Sequence, residues 1–249
     1  MNASVPHAND GPNHSTASPG FGGRRSFGRS TVRLPNGLLI APSILSADFA
    51  RLGDDARASL AAGGDLLHVD VMDGHFVPNL SMGPAVCASL HAALPDACLD
   101  VHLMVTDPGA YIEPFAKAGA SHITFHIEVA PDPLPLIARI HALGMSAGLA
   151  INPDTPAEAI IPFLGSVELA LVMSVHPGFS GQKFIASVLP KTRALRTAGP
   201  ASLRVQMDGG VAPDSAPACR EHGCDVIVAA SAIFGRTDYT AAIRALRGG

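Results

Sequence analysis

Eight short apolar runs, separated by longer stretches of helical character, constrain this chain more than any other feature. The runs are "LLIAP" (38–42), "LLHVD" (66–70), "LDVHLM" (99–104), "HITFH" (122–126), "SAGLAI" (146–151), "LALVMSV" (169–175), "RVQMD" (204–208) and "VIVAA" (226–230). Helices are expected between them, among others over 48–62, which Asp48 can cap, and over 133–143, ending before Gly144. Two more are expected over 184–198, ending at Gly199, and over 212–222, ending at Gly223. Strands apolar on both faces need cover on both, as in a parallel sheet wrapped by helices. Eight such units within residues 37–249 suit a single (β/α)8 TIM barrel, a fold of typically about 250 residues. A doubly wound open sheet is the competing arrangement, but no G-x-G-x-x-G follows the first strand.

Residues 1–36 break this pattern. They are rich in Ser, Asn, Gly, Pro and His, show no hydrophobic period, and are expected to form a disordered extension. Arg24, Arg25, Arg29 and Arg33 give the segment a trace of transit-peptide character, but a plain extension on a cytoplasmic enzyme is the simpler expectation. The formal net charge is −4, with no basic stripe, so neither nucleic acid nor an anionic membrane is an expected partner. No apolar run approaches the roughly 18 residues that would span a bilayer. Cys87, Cys98, Cys219 and Cys224 form no C-x-x-C pair and read as buried, reduced thiols.

The polar residues inside the apolar runs carry the chemistry. In a barrel of this kind, side chains at the C-terminal strand ends face the active site. Ser43 follows the first strand, His68 and Asp70 lie on the second, His102 on the third, His126 ends the fourth and Asp208 ends the seventh. Residues two apart on a strand point the same way, so His68 and Asp70 share a face. Two imidazoles and two carboxylates converging on one axis suit a divalent ion, with zinc, iron(II), manganese and cobalt all chemically reasonable. The glycines of "HPGFSGQKF" and "DGG", with the "AAS" ending at Ser231, suggest a phosphate seat in the loops after strands six to eight. Asp73, just before Gly74, suits a turn, and His126 suits a supporting place beside the site.

Taken together, "APSILSADF", "HVDVMDGHFVPN", "DVHLMV", "MSVHPGFSGQKF" and "MDGGV" resemble the ribulose-phosphate 3-epimerases from residue 38 to about 235. The resemblance implies a metal-dependent barrel that interconverts D-ribulose 5-phosphate and D-xylulose 5-phosphate, in the pentose phosphate pathway or the Calvin cycle. It implies one divalent cation, most simply Zn2+, held by His68, Asp70, His102 and Asp208, with Asp70 and Asp208 as the acid/base pair acting through a cis-enediolate. Ser43, His68, His102 and Asp208 would also touch substrate. Met72, Met104 and Met173 would line the pocket, and Gly178, Phe179, Ser180, Gly181, Gly209, Gly210, Ala230 and Ser231 would hold the phosphate and sugar. A homo-oligomer, dimer or hexamer, is implied as well. The chain departs from the usual family residues at His176, Ser180, Gln206, Met207 and Ala230. An epimerase for allulose 6-phosphate would keep the same metal and acids. A catalytically silent sugar-phosphate-binding paralogue would lack one of them, and none is missing.

Overall fold

A computed structural model describes residues 36–249, together with the backbone of two short parallel-paired segments, Arg25–Ser26 and Val32–Arg33. The expectation for residues 1–36 therefore lies almost wholly outside the described residues. Eight parallel strands form one sheet: β1 (Leu39–Pro42), β2 (Leu67–Met72), β3 (Leu99–Met104), β4 (His122–His126), β5 (Ser146–Ile151), β6 (Leu169–Met173), β7 (Arg204–Asp208) and β8 (Val226–Ala229). Strands β2 to β8 pair in chain order, and β8 returns to pair with β1. One parallel bridge, Ser43 with His68, brings β1 to β2 and closes the cylinder.

The helices are α1 (Leu52–Ala61), α2 (Pro84–Ala93), α3 (Ile112–Lys117), α4 (Leu134–Ala142), α5 (Leu189–Ala198), α6 (Ala216–Glu221), α7 (Ser231–Phe234) and α8 (Tyr239–Arg247). Asp48 does cap its segment, but through a 3-10 turn, Phe49–Arg51, that leads into α1; its carboxylate accepts from the Ala50 amide at 2.9 Å. Between β5 and β6 the expected helix is replaced by two 3-10 segments, Ala157–Ala159 and Ile161–Ser166. Pro153, Pro156 and Pro162 remove amide donors there and Gly165 weakens what remains, so an α-helical ladder cannot propagate.

Alternation along each strand divides the sheet into two surfaces. Leu67, Val69, Val71, Leu99, Val101, Leu103, Ile123 and Phe125 face outward and join the helices in the main core. Burying each such side chain contributes about 1.5–3 kcal/mol. The inward set splits in character. Leu39, Ala41, Ala150, Leu169, Leu171, Val226 and Val228 make an apolar half, while His68, Asp100, His102, His122, Thr124 and Gln206 fill the rest of the interior with polar groups. His122 bonds to the hydroxyls of Ser146 and Thr124 at 2.8 and 2.9 Å, and Gly148 leaves it room: a Cβ there would lie 2.8 Å from its Nε2. Burial lowers the His122 pKa to about 4, keeping the ring neutral. All four cysteines are buried thiols outside any disulfide.

Candidate active site

Four inward side chains meet at the C-terminal ends of β2, β3 and β7. His68 Nε2 lies 3.3 Å from Asp70 Oδ1 and 3.7 Å from Asp208 Oδ2; His102 Nδ1 lies 3.3 and 3.5 Å from the same two oxygens. One donor atom from each residue falls within 4.8 Å of every other. A tetrahedral cation with bonds of about 2.0–2.2 Å separates its ligands by roughly 3.3–3.6 Å, so the spacing fits one divalent ion. His68 Nε2 supports the same fit, being buried and without a hydrogen-bond partner among the described residues. A wholly buried imidazole nitrogen is otherwise costly to leave unsatisfied.

The surroundings orient these donors. His68 Nδ1 donates to Asp100 Oδ2 at 2.8 Å, and Gln206 Nε2 donates to the same oxygen at 2.8 Å. Ser43 Oγ donates to Asp70 Oδ2 at 2.5 Å. Burial by itself would raise the Asp70 carboxyl, but the imidazoles of His68 and His102 outweigh it and hold the group well below its usual range. Asp208 is also held low: burial and the Asp70 charge push it up, and the imidazoles of His102 and His68 beside it overcome them. Both carboxyl groups thus favour the ionised form in the absence of substrate, and the four donors are close enough together to hold a cation. Asp208 keeps 13% of its side chain exposed, toward the cavity above.

That cavity, of about 240 Å³, opens over the cluster. Its wall includes Ser43, Asp70, Met72, Met104, Met173, Gly178, Phe179, Ser180, Gly181, Asp208, Gly209, Gly210, Ala230 and Ser231. His68 and His102 lie beneath this wall and reach it only through the two carboxylates. The methionines are almost wholly buried, Met72 and Met104 packing with Val77, and they give the cavity a dry, polarizable side. The loop after β6 meets the loop after β2, where Asn79 Nδ2 donates to the Gly178 carbonyl at 2.7 Å. Ala230 has φ −102°, so its methyl causes no left-handed strain at the start of α7.

Sequence reasoning passed over Asp100, Glu128 and Arg236. Arg236 is the one arginine or lysine lining the cavity among the described residues. Asp73 does the structural work expected of a turn residue and more. It accepts from the amides of His75 and Phe76 at 2.8 and 2.9 Å, and from the amide and hydroxyl of Thr106 at 2.8 and 2.9 Å. It thereby ties the loop after β2 to the loop after β3. His176 is exposed, with Nδ1 3.8 Å from Asp154 Oδ2.

Gly210 carries a requirement no other residue meets. Its φ is +64°, and a Cβ there would lie 2.5 Å from the Gln182 carbonyl oxygen and 2.7 Å from the Phe184 amide nitrogen. Gly210→Ala is expected to cost about 1–3 kcal/mol, read as a lower urea midpoint at unchanged slope, because both neighbours are backbone atoms that cannot swing aside.

Comparison with known proteins agrees with this geometry. The ribulose-phosphate 3 epimerase family profile matches residues 39–234. Ribulose-phosphate 3-epimerase of Mycobacterium tuberculosis (strain ATCC 25618 / H37Rv) is 48% identical over 214 residues, covering 85% of this chain and 92% of that protein. The cytoplasmic isoform from Oryza sativa subsp. japonica is 49% identical over 212 residues, covering 84% and 92%. Among solved structures, KGPDC from Streptococcus mutans superposes with a TM-score of 0.65 at 15% identity, covering 85% of this chain and 96% of that one, a likeness of fold. This chain belongs to the ribulose-phosphate 3-epimerase family.

Proposed function

We propose that the protein interconverts D-ribulose 5-phosphate and D-xylulose 5-phosphate by inverting C3, with Asp70 and Asp208 as the two proton-transfer groups. The carrying observation is a pair of carboxyl groups, from β2 and β7, at the floor of one cavity whose rim is rich in glycine and includes Ser231; in each turnover one starts ionised and takes the C3 proton, and the other starts protonated and returns one. Inversion beside a ketone requires a proton to leave one face of C3 and another to arrive on the opposite face. A single fixed base reaches one face only; two carboxylates on separate strands can serve one face each. Each positioned proton transfer contributes about 10²–10⁴-fold.

His68 Nε2, Asp70, His102 Nδ1 and Asp208 would hold the divalent cation, with Zn2+ the expected occupant and Fe2+, Mn2+ or Co2+ suited to the same donors. When bound, it supplies Lewis-acid stabilisation of the negative charge that builds on the sugar oxygens as the C3 proton departs. Ser43 keeps Asp70 oriented through its short hydrogen bond. Met72, Met104 and Met173 keep water from the reacting carbons, so that protonation comes from a carboxylic acid of the pair. The amides around Gly209, Gly210, Ala230 and Ser231, with the Ser180 hydroxyl and the Arg236 guanidinium, would grip the phosphate. Binding energy gained there, away from C3, fixes the sugar for reaction. Family membership supports a homo-oligomer, dimer or hexamer, and the rice relative's cytoplasmic designation supports the same location here.

Turnover of D-ribulose 5-phosphate in deuterium oxide should place deuterium at C3 of the product. Product free of deuterium after full conversion would sink the proton-transfer reading. A parallel assay with allulose 6-phosphate should be slower; faster conversion would reassign the substrate. Exhaustive chelation should abolish activity, with stoichiometric Zn2+ restoring it, and a verifiably metal-free protein working at full rate would remove the cation from the account.

A further inference from the structure

His102 presents one ring nitrogen to the cluster, and what its other nitrogen touches decides whether the first is free to bind. Nδ1 faces Asp70 and Asp208, while Nε2 lies 2.9 Å from Nε2 of His126. The two rings are stacked, with centroids 5.0 Å apart. His126 Nδ1 in turn lies 3.1 Å from Glu128 Oε2. The other oxygen of Glu128 accepts from the Asn152 amide at 2.8 Å and the Thr155 hydroxyl at 2.5 Å. Lys191 fastens the same loop, donating to the carbonyls of Asn152, Pro153 and Thr155 at 3.3, 2.5 and 2.6 Å.

With Glu128 ionised and a cation in the cluster, this chain admits one arrangement of protons. A carboxylate only accepts, so His126 carries its proton on Nδ1. Two imidazole nitrogens in hydrogen-bond contact share a single proton, and His126 and His102 are both wholly buried. A second proton on His126 would make it a buried cation, which is costly. His126 Nε2 is therefore the acceptor and His102 Nε2 the donor, leaving the Nδ1 lone pair of His102 aimed into the cluster.

We infer that Glu128 and His126 are positioning residues that set the tautomer of His102 and so prepare its Nδ1 to bind the cation. The inference rests on the metal reading above. It places the control of a ligand on β3 in a 3-10 turn, Ile127–Val129, that follows β4. Ligating histidines are commonly oriented through their second nitrogen, and loss of that partner typically weakens metal binding 10–100-fold.

Glu128→Gln tests the assignment at nearly constant volume. The amide oxygen must take the Asn152 and Thr155 donors, so the NH2 faces His126 Nδ1 and reverses the chain. His102 then carries its N–H on Nδ1, directed into the cation site. Zn2+ affinity, measured by competition with a chromophoric chelator, should fall about 10–100-fold, with little change in the thermal midpoint of the metal-free protein. A role confined to structure gives the opposite pattern, a lower midpoint with affinity intact, and that result overturns the inference. The zinc-loaded wild type gives a second reading that does not depend on the variant's folding. Its histidine 15N spectrum should show His126 protonated at Nδ1, and a proton on Nε2 overturns the inference. Failure of the wild type to take up stoichiometric Zn2+ would defeat the metal reading and this role together. Equal uptake by wild type and Glu128→Gln would defeat the positioning role alone.

Discussion

Asp208→Asn is expected to reduce kcat by at least about 10³-fold while leaving the barrel folded. Asp208 Oδ2 sits 3.5 Å from His102 Nδ1 and 3.7 Å from His68 Nε2, and it lines the substrate cavity. The carboxamide fills the same space but can neither accept the C3 proton nor contribute a charge to the cation site. The fold should persist because Asp208 is anchored by its backbone: its carbonyl accepts from the Ser174 amide at 2.7 Å and the Ser174 hydroxyl at 2.9 Å. A coupled ketopentose-phosphate assay with saturating Zn2+, run beside calorimetry, separates the two effects. Turnover within tenfold of the parent would remove Asp208 from the acid/base pair.

Asp100→Ala should act mainly on stability. Asp100 has no exposed surface and accepts from His68 Nδ1 and Gln206 Nε2, both at 2.8 Å. Its carboxyl is held low: burial opposes ionisation, and the His68 imidazole and the hydrogen bond from Gln206 outweigh it. Truncation leaves an imidazole N–H and an amide NH2 facing a void inside the barrel. Breaking one side of a buried charged pair costs about 3–5 kcal/mol. For a chain of this length that corresponds to a midpoint lower by roughly 10 °C. Scanning calorimetry of the metal-free protein provides the measurement, and a midpoint within about 2 °C of the parent would show that His68 finds another acceptor. Zn2+ affinity should fall as well, since His68 loses the contact that directs its Nε2.

The strands were legible because barrel strands are buried on both faces, so each one stands out as an apolar run against its neighbours. Their ends shifted by a residue or two where local bonding decides the boundary. The run expected to reach residue 175 stops at Met173, because Ser174 turns aside to bond with Asp208 and Gly209. The segment after β5 was less legible: its prolines show that a helix is disfavoured, without showing that two 3-10 turns replace it. The four cluster residues could be picked out because charged groups inside apolar strands need a reason to be there. Asp100 had the same signal, two positions before His102 on the same face, yet it lies deeper in the barrel than the strand ends where function was sought. Glu128 had none. It reaches His126 because the chain folds back through a 3-10 turn, and no spacing in the sequence marks that return.

The cylinder's lightest joint lies between its first and second staves. A single ladder bridge, Ser43 with His68, holds them at the upper end. Below it, Asp65 takes the Ile40 amide at 2.7 Å and the Arg247 guanidinium at 2.5 Å. Ser43, His68 and Asp70, which flank this seam, are among the residues that would grasp the cation and the sugar. A cation or sugar held from both staves would thus double as a clasp across the gap.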